Sequence, residues 1–445
     1  MEQSLEKGLF ELCEKRIKSE PEFKSEYSGE TDAELFEKFR LFQLRKTIEL
    51  AREKSPFYKR LYKDLPFKGG NISGLDDLCR LPFTDGKDLT GNAYGMLCSS
   101  QANVEKPVTF YSSGATGNRK RIYFSHADIR KILDFLPRGM NTVVGRTEGR
   151  ILVMLQNSQG RGIGSILAQS LIEYGMPAWT GDLEDDPEHL YEVTLNNKIN
   201  VWFGEAISIF RATRILEQKH DLKNLGMKCI FITMCNIPQY MTDYLQRAWN
   251  CRVSTHYGLT ESGWGLAVDC PECGGYHYDE LDHIIEIVDP VSGEIKKEGE
   301  YGEIVLTNIS RDCMPLIRYR TGDISCIKNA VCGSHLKTLG HIKRRLEGAA
   351  IIKGREFYPA LFDTALYSSP GLLDYRIFYR GEQLIFEIET LKDFDFDVQG
   401  LKGKLMSLDI MKQMPAPDIR LVPEGALRKY CYEKKRIVSA EAENE

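Results

Sequence analysis

The stretch Lys228–Tyr257, KCIFITMCNIPQYMTDYLQRAWNCRVSTHY, decides the fold class of this chain. Two short apolar runs, Lys228–Met234 and Val253–Tyr257, flank the amphipathic stretch Gln239–Trp249. A strand, a helix and a second strand in this order predict two parallel strands joined by a crossover helix that packs on one face of the sheet. We therefore expect an α/β fold.

The same alternation runs through the middle of the chain. Apolar runs at Ile151–Leu155 and Val201–Phe203 are separated by longer amphipathic stretches. These stretches are Ile163–Tyr174, His189–Asn196 and Ala206–Gln218. The pattern predicts a mainly parallel sheet with helices on both faces. Further upstream, helical spacing of apolar residues predicts a helix from about Glu34 to Glu53, which Pro56 ends.

Between His283 and Ile327 the pattern shortens to adjacent strands with turn residues between them. The predicted strands are Ile284–Val288, Gly302–Thr307, Ile317–Tyr319 and Asp323–Cys326. We expect them to form a β-rich subdomain at about 265–340.

The segment Gly340–Gly348 is basic and poor in apolar residues, which predicts a domain boundary near Gly340–Glu347. We expect a large N-terminal domain, 1–342, with the mixed, mainly parallel sheets and the β-rich subdomain. A small α+β C-terminal domain, 343–445, follows. Its predicted elements are a strand near Ile351, a helix at Pro359–Tyr367, strands at Tyr375–Phe378 and Leu384–Ile388, and a helix at Val398–Leu408.

The composition excludes several classes of protein. The chain has 445 residues, 42% hydrophobic and 28% charged, which is typical of globular proteins. With 59 Lys and Arg against 64 Asp and Glu, the net charge of −5 gives no general attraction to nucleic acid or anionic lipid. The 12 cysteines are scattered, and no apolar run approaches the roughly 20 residues of a membrane helix. We expect a cytoplasmic protein with no nucleic-acid or membrane partner.

Three motifs could carry chemistry. The first, Tyr111–Arg121 (YSSGATGNRKR), offers hydroxyls, glycines and backbone N–H groups to an anion such as a triphosphate. It is not a Walker A loop, because no Gly-Lys-Ser/Thr follows its glycines. The alternative interpretation is a flexible turn with a basic exit.

The second motif, His256–Glu261 (HYGLTE), follows the last strand of the α/β region, where open sheets bind ligands. Its aromatic ring could stack on a base, and Glu261 could bind a divalent cation. The third, Arg318–Asp323 (RYRTGD), places a carboxylate after a tight turn, where it could accept hydrogen bonds from a ribose diol. The alternatives are an ordinary strand-end turn and a surface hairpin with an ion pair.

In this order and spacing the three motifs resemble the adenylate-forming superfamily of acyl-CoA synthetases, most closely its phenylacetate-CoA ligase-like branch. Further similarity lies at Ser55–Arg60, Gly74–Leu89, Glu286–Pro290, Gly299–Glu303 and Met314–Tyr319. The likeness covers nearly all of the chain from Leu35 to Pro370.

The resemblance implies an acid-CoA ligase that forms AMP and pyrophosphate. ATP and a carboxylic acid would give an acyl-adenylate, and a thiol, usually coenzyme A, would displace AMP. Tyr257 would stack on adenine, Glu261 would bind Mg2+ and Asp323 would hold the ribose. The implied nucleotide ligands also include Ser112, Ser113, Gly114, Thr116, Gly117, Lys120, Gly258, Thr260 and Arg344. Thr116, Glu261 and Lys434 are the implied catalytic residues.

In this family a lysine near the C-terminus reaches the adenylating centre on a mobile small domain. The family spacing falls on Glu433 in Tyr430–Val438 (YCYEKKRIV), so Lys434, one residue on, is the candidate. The alternative is a solvated run of charges. The usual hinge of Gly-Arg and two acidic residues is replaced by Lys343–Glu347 (KRRLE), which includes Arg344.

Two further segments depart from the family. Met234–Pro238 (MCNIP) stands where the family has a Gly-Ala-Glu-Pro turn. Phenylacetate ligases have an aromatic-rich loop where this chain has the polar Leu155–Gly162 (LQNSQGRG). The polar loop, with Arg161, predicts an acid more polar than phenylacetate.

The segment Cys270–His277 (CPECGGYH) places two thiols at CxxC spacing and an imidazole four residues on, which suits tetrahedral zinc. Cys332 is the predicted fourth ligand. Some phenylacetate ligase-like proteins have a pattern that matches Cys270, His277 and Cys332, and Cys273 would replace the cysteine that is absent at Ala330. We expect a structural zinc site. The alternatives are free cysteines in a turn, His277 as an ordinary polar residue, or His335 or Cys326 as the ligand in place of His277.

Two other functions stay open at this point. One is an adenylating enzyme whose acceptor is an amine, a hydroxyl or a carrier-protein thiol. The other is a catalytically inactive, nucleotide-binding protein stabilised by zinc. The sequence does not identify the acid, and it leaves a homodimer open.

Overall fold

The computed structural model describes residues 4–24, 31–65, 72–111, 119–156, 162–182, 184–233, 237–428 and 437–441. These residues form two compact units. The first unit comprises 4–111, 119–145 and 256–342, and the second comprises 146–255 and 343–441, each with the gaps just given.

The helices lie in both units. They are α1 Leu5–Ile17, α2 Pro21–Lys24, α3 Asp32–Lys54, α4 Pro56–Leu61, α5 Gly86–Gly91, α6 His126–Val144, α7 Ile163–Tyr174, α8 Pro187–Asn196, α9 Ala206–Leu216, α10 Gln239–Trp249, α11 Asp363–Tyr367 and α12 Val398–Met406. Short 3-10 turns occur at Leu75–Arg80, Ala93–Met96, Gln101–Asn103, Leu222–Leu225, Thr260–Ser262, Pro359–Leu361 and Asp409–Met411. Among the described residues, no helix is both long and apolar enough to cross a bilayer.

The strands are numbered in chain order. The first twelve are β1 Val104–Tyr111, β2 Arg119–Ser125, β3 Ile151–Met154, β4 Ala178–Gly181, β5 Val201–Glu205, β6 Cys229–Thr233, β7 Arg252–Tyr257, β8 Ala267–Cys270, β9 Gly275–Tyr278, β10 His283–Val288, β11 Gly302–Asn308 and β12 Tyr319–Ser325. The others are β13 Ile327–Lys328, β14 Thr338–Gly340, β15 Arg344–Arg345, β16 Ala350–Ile352, β17 Arg355–Phe357, β18 Leu372–Arg380, β19 Gln383–Thr390, β20 Asp418–Val422 and β21 Ile437–Ser439.

Antiparallel strands dominate the first unit. β1 pairs with β2, and β10, β11 and β12 form a meander. A further set of antiparallel neighbours has the spatial order β13-β14-β9-β8. Strand β8 also pairs with the last two residues of β7, His256 and Tyr257. This arrangement agrees with the predicted β-rich subdomain.

The N-terminal helices of the first unit are bonded to residues far along the chain. The hydroxyl of Tyr58 donates to the carbonyl of Pro315, and that of Thr47 donates to the carbonyl of Ile309. Helix α3 begins with a capping box between Thr31 and Glu34. The predicted helix is therefore confirmed with slightly wider bounds.

The predicted end of this helix at Pro56 is confirmed, because α3 ends at Lys54, and a second helix, α4, begins at Pro56 itself. Proline is tolerated in the first helical turn, where its missing N–H would have no helical partner. Ser55 caps α4 by accepting a hydrogen bond from the N–H of Tyr58. Pro56 thus separates two helices.

The predicted break between strands at Ile317–Tyr319 and Asp323–Cys326 is wrong, since β12 runs unbroken from Tyr319 to Ser325. Gly322 adopts a φ of 77°, which glycine tolerates without strain. Its N–H donates to Glu303 Oε1 at 3.0 Å, and the pairing of β11 with β12 shifts register between Glu303 and Val305. The Thr-Gly pair therefore marks an irregularity within one strand.

The second unit contains the parallel sheet, with strand order β4-β3-β5-β6-β7. Strand β6, helix α10 and strand β7 form the strand–helix–strand unit expected from Lys228–Tyr257. The predicted α/β fold is confirmed.

A second sheet of this unit has the order β20-β19-β18-β21. One apolar core joins its strands to the parallel sheet, with Trp202 and Trp249 on one side and Phe386 and Ile437 on the other. Within the core, Arg211 on α9 makes a buried ion pair with Glu389. The lid-like movement of a separate C-terminal domain stays a prediction.

Candidate nucleotide-binding site

Of the first motif, the structure describes only Tyr111 and Arg119–Arg121. Its residues Ser112, Ser113, Gly114, Thr116 and Gly117 lie outside the described residues, as does Lys434. Lys120 on β2 is described and buried. Its Nζ lies 3.5 Å from the hydroxyl oxygen of Tyr319, which belongs to the third motif.

The second motif places Glu261 in the 3-10 turn that follows β7. The residue is 6% exposed, and its carboxylate Oε1 accepts a hydrogen bond from the Tyr319 hydroxyl at 2.9 Å. The backbone carbonyl of Glu261 accepts a hydrogen bond from Arg311 Nη1 at 2.9 Å. A ring nitrogen of His283, Nε2, lies 3.2 Å from the carbonyl oxygen of Ser262. The turn is therefore held from several directions.

Gly258, in the same turn, has a steric role. A Cβ built at this position would lie 1.8 Å from the carbonyl oxygen of Trp264, closer than any real contact. The backbone of the turn therefore requires glycine here. Thr260 begins the 3-10 turn that contains Glu261.

Tyr257 and Asp323 connect the second motif to the third. The Tyr257 hydroxyl donates a hydrogen bond to Asp323 Oδ2 at 2.8 Å, and both side chains are buried. Asp323 and Tyr319 both lie on β12, and the Tyr319 hydroxyl bonds to Glu261 as described above. This strand thus contacts both Tyr257 and Glu261.

The third motif is not a surface hairpin. Arg318 is buried, and its guanidinium donates to both carboxylate oxygens of Glu286 and to the carbonyls of Cys79 and Leu81. The hairpin alternative is therefore wrong. The arginine fixes the strand that carries Tyr319 and Asp323.

The predicted zinc ligands come together in the same unit. One donor atom from each of Cys270, Cys273, His277 and Cys332 lies within 4.8 Å of the others. His277 Nε2 is 3.2 Å from Cys332 Sγ, and His277 Nδ1 is 3.2 Å from the carbonyl oxygen of Lys337. Because a carbonyl only accepts, Nδ1 carries a proton, and Nε2 is the ring nitrogen that faces the thiols, as in a histidine that binds metal through Nε2.

The two CxxC thiols differ in acidity. Burial raises the pKa of Cys270 to about 12. Burial also acts to raise the pKa of Cys273, but hydrogen bonds, including those from the N–H groups of Val331 and Cys332, outweigh it and lower the pKa to about 6. Cys273 is therefore the more readily ionised of the pair, and a thiolate is the form that binds metal.

The alternative ligands lie elsewhere. His335 is exposed, and its backbone N–H and ring bond to Glu6. Cys326 is buried near Gly340, where a built Cβ would approach its sulfur to 2.8 Å. Neither belongs to the group of four donor atoms. All ten cysteines that the structure describes are free thiols.

Several known proteins are similar to this chain, although no protein-family model matches it. A phenylacetate-coenzyme A ligase of Thermus thermophilus is 26% identical over 377 residues, which cover 82% of this chain and 83% of the relative. One from Pseudomonas putida is 28% identical over 335 residues, 72% of each chain. The predicted resemblance is confirmed.

Solved structures of adenylate-forming ligases have the same fold. A 2-hydroxyisobutyryl-CoA ligase in its postadenylation state superposes with a TM-score of 0.76 at 18% identity, over 91% of this chain and 89% of that one. ATP-bound MatB from Rhodopseudomonas palustris gives 0.52 at 17% identity, over 71% of this chain and 63% of MatB.

The sequence motifs did not identify Tyr319 as part of the site. Its position four residues before Asp323, within the same motif, is the signal that could have found it. Arg344 lies in the second unit, where its Nη1 donates to Glu356 at 2.7 Å and its guanidinium lies over the ring of Tyr358. A nucleotide-binding role for Arg344 stays a prediction.

Proposed function

We propose that this protein is an ATP-dependent carboxylic acid ligase that forms a coenzyme A thioester through an acyl-adenylate. The observation that carries the proposal is the buried cluster of Lys120, Tyr319, Glu261, Tyr257 and Asp323, in which two tyrosine hydroxyls join all three motifs. The curated relatives are phenylacetate-CoA ligases, and the 2-hydroxyisobutyryl-CoA ligase has been solved with an acyl-AMP and CoA.

In the first step, a carboxylate oxygen of the acid attacks the α-phosphorus of ATP, and pyrophosphate leaves. Both reactants are anions, so charge neutralisation and alignment matter more than proton transfer. Lys120 and the loop 112–118, with Thr116, would hold the phosphates. Tyr257 would stack on adenine and Asp323 would accept hydrogen bonds from the ribose. Lys434 would donate to the transition state.

The carboxylate of Glu261 is the proposed magnesium ligand. Among the described residues it accepts a single hydrogen bond, from Tyr319 to Oε1, which leaves Oε2 for a cation. Mg2+ prefers oxygen ligands and usually combines one or two carboxylates with substrate phosphates. When bound, the cation neutralises charge on the phosphates.

In the second step, the thiol of coenzyme A attacks the acyl carbonyl carbon, and AMP leaves. Movement of the region 343–445 between the two steps is part of the proposal.

Cys270, Cys273, His277 and Cys332 would hold a structural zinc ion. The four donors satisfy the tetrahedral coordination of zinc and leave no open position for a substrate. The tautomer of His277 and the spacing of the donor atoms support this assignment. Reduced thiols are consistent with the proposed cytoplasmic location.

Acid-dependent release of pyrophosphate tests the proposed function. The purified protein is incubated with ATP and Mg2+ and a panel of aryl, short-chain and polar carboxylates, with and without coenzyme A. We expect pyrophosphate with at least one acid, and a thioester and AMP when coenzyme A is added. Turnover of polar acids would agree with the polar loop at Leu155–Gly162, and turnover of phenylacetate alone would contradict it.

The same assay separates the two alternatives. Pyrophosphate release that yields a stable product only with an amine, a hydroxyl compound or a carrier-protein thiol would indicate another acceptor. Tight ATP binding without acid-dependent pyrophosphate from any acid would indicate an inactive protein.

A further inference from the structure

Tyr319 belongs to the third motif, but none of the roles assigned to the three motifs involves its side chain. Its side chain is 1% exposed and lies between Lys120 of the first motif and Glu261 of the second. The hydroxyl is 2.9 Å from Glu261 Oε1 and 3.5 Å from Lys120 Nζ.

The direction of these hydrogen bonds is fixed by chemistry. An ammonium group can only donate, and an ionised carboxylate can only accept. The Tyr319 oxygen therefore accepts from Lys120 while its proton is donated to Glu261. The hydroxyl is a neutral spacer that links a cation and an anion without letting them pair directly.

Both ends of the link are held in place. Tyr319 lies on β12, opposite Leu306 of β11, and a bridge to Thr84 flanks it on the other side. Arg311 fixes the backbone of Glu261. A Cβ at Gly86 would lie 2.5 Å from Lys120 Nζ, so the absence of a side chain there makes room for the ammonium group.

We propose that Tyr319 is a positioning residue that keeps the Glu261 carboxylate from pairing directly with Lys120, so that the carboxylate can bind a divalent cation. Without the hydroxyl, the ammonium and the carboxylate would be drawn into a direct ion pair, which would use the charges needed for Mg2+ and ATP. The inference rests on the proposed function, in which Glu261 binds the cation.

The test compares Tyr319→Phe with Tyr375→Phe in the full chain. Tyr375 is a matched control in the second unit, because its buried hydroxyl also donates to a buried carboxylate, that of Asp363. For each protein the Mg2+ concentration at half-maximal pyrophosphate release, the kcat at saturating Mg2+ and the thermal unfolding temperature are measured.

We expect Tyr319→Phe to raise the half-maximal Mg2+ concentration about tenfold, the effect of losing one hydrogen bond to a charged group. Saturating Mg2+ should restore most of kcat, and Tyr375→Phe should keep the wild-type Mg2+ dependence. A wild-type Mg2+ dependence in Tyr319→Phe, or the same shift in both variants, would overturn the proposal.

Two further arms keep the result interpretable. If Tyr319→Phe does not fold, Glu261→Asp is the second variant, because it draws the carboxylate back from Tyr319 by one methylene. It should give the same rise in the half-maximal Mg2+ concentration. An unchanged Mg2+ dependence would count against the link through Tyr319. Calorimetric titration of Mn2+ with ATP measures cation binding without turnover. Wild-type protein that binds Mn2+-ATP but releases no pyrophosphate would contradict the proposed function, while a weaker Mn2+-ATP complex in Tyr319→Phe would still support the positioning role.

Discussion

Two clusters in the same unit each join residues that are distant in sequence. The first is the proposed nucleotide cluster, which contains Lys120, Tyr257, Glu261, Tyr319 and Asp323. The second is the Cys/His cluster, which contains Cys270, Cys273, His277 and Cys332. The two clusters differ in how many potential metal ligands they bring together. Four side chains surround the predicted zinc position, whereas Glu261 presents a carboxylate with one hydrogen bond among the described residues. A closed set of ligands suits a metal that stabilises the fold, and an open carboxylate suits a cation that arrives with its substrate.

The largest effect should come from removing one ligand from the Cys/His cluster. Cys332→Ser removes one thiolate, so we expect loss of stoichiometric zinc and a fall of several kcal/mol in the free energy of unfolding, because metal binding contributes directly to folding. Metal analysis and chemical unfolding measure the two effects. Cys79→Ser, at an exposed cysteine outside the cluster, is the control. Wild-type protein that contains no zinc would remove the basis for this comparison.

A second substitution tests Glu261 in the proposed nucleotide cluster. Glu261→Gln keeps the size of the side chain and its hydrogen bond from Tyr319 but removes the charge. We expect pyrophosphate release to fall about 10^2- to 10^3-fold, the size typical of one lost transition-state contact, with zinc content unchanged.

Glu389→Gln provides the contrast, because that buried carboxylate pairs with Arg211 in the second unit. It should lower stability while leaving the Mg2+ dependence as in wild type. Normal activity in Glu261→Gln would refute the assigned role of Glu261.

The smallest expected effect concerns pH. Burial lowers the pKa of His256 from 6.5 to about 4, so the folded state keeps the imidazole neutral where the unfolded state takes up a proton. Stability should therefore fall as the pH drops from 6.5 towards 4, by about 3 kcal/mol over the whole interval. Unfolding in urea at several pH values measures this slope.

His256→Gln should flatten the slope, because glutamine does not titrate. His335→Gln, at an exposed histidine, should leave it unchanged. Equal slopes in wild type and His256→Gln would assign the acid sensitivity to other groups, such as the thiolates of the Cys/His cluster.

The two clusters also differed in how far the sequence could predict them. The CxxC spacing and the imidazole at His277 predicted three of the Cys/His donors, since few other roles require that chemistry. The position of Cys332 followed from the family pattern, and the structure places its sulfur beside His277. Ligand chemistry is specific enough to be visible in the sequence.

Tyr319 could not be found in the same way. A buried tyrosine on a strand is ordinary, and its importance comes from the tertiary contacts with Lys120 and Glu261. The strand–helix–strand pattern of Lys228–Tyr257 predicted the parallel sheet correctly, because hydrophobic periodicity reports burial directly. The break predicted around Gly322 was wrong because a glycine with positive φ also fits within a strand whose pairing shifts register.

The long-range bonds of the N-terminal helices have a consequence for synthesis on the ribosome. These bonds join Tyr58 to Pro315, Thr47 to Ile309 and Arg16 to Asp282. The partners are separated by 257, 262 and 266 residues, respectively. At roughly 5–20 residues per second, the nascent helices wait on the order of ten seconds or more for their partners. Their apolar faces are exposed during that interval, so we expect co-translational chaperones to influence the yield of folded protein.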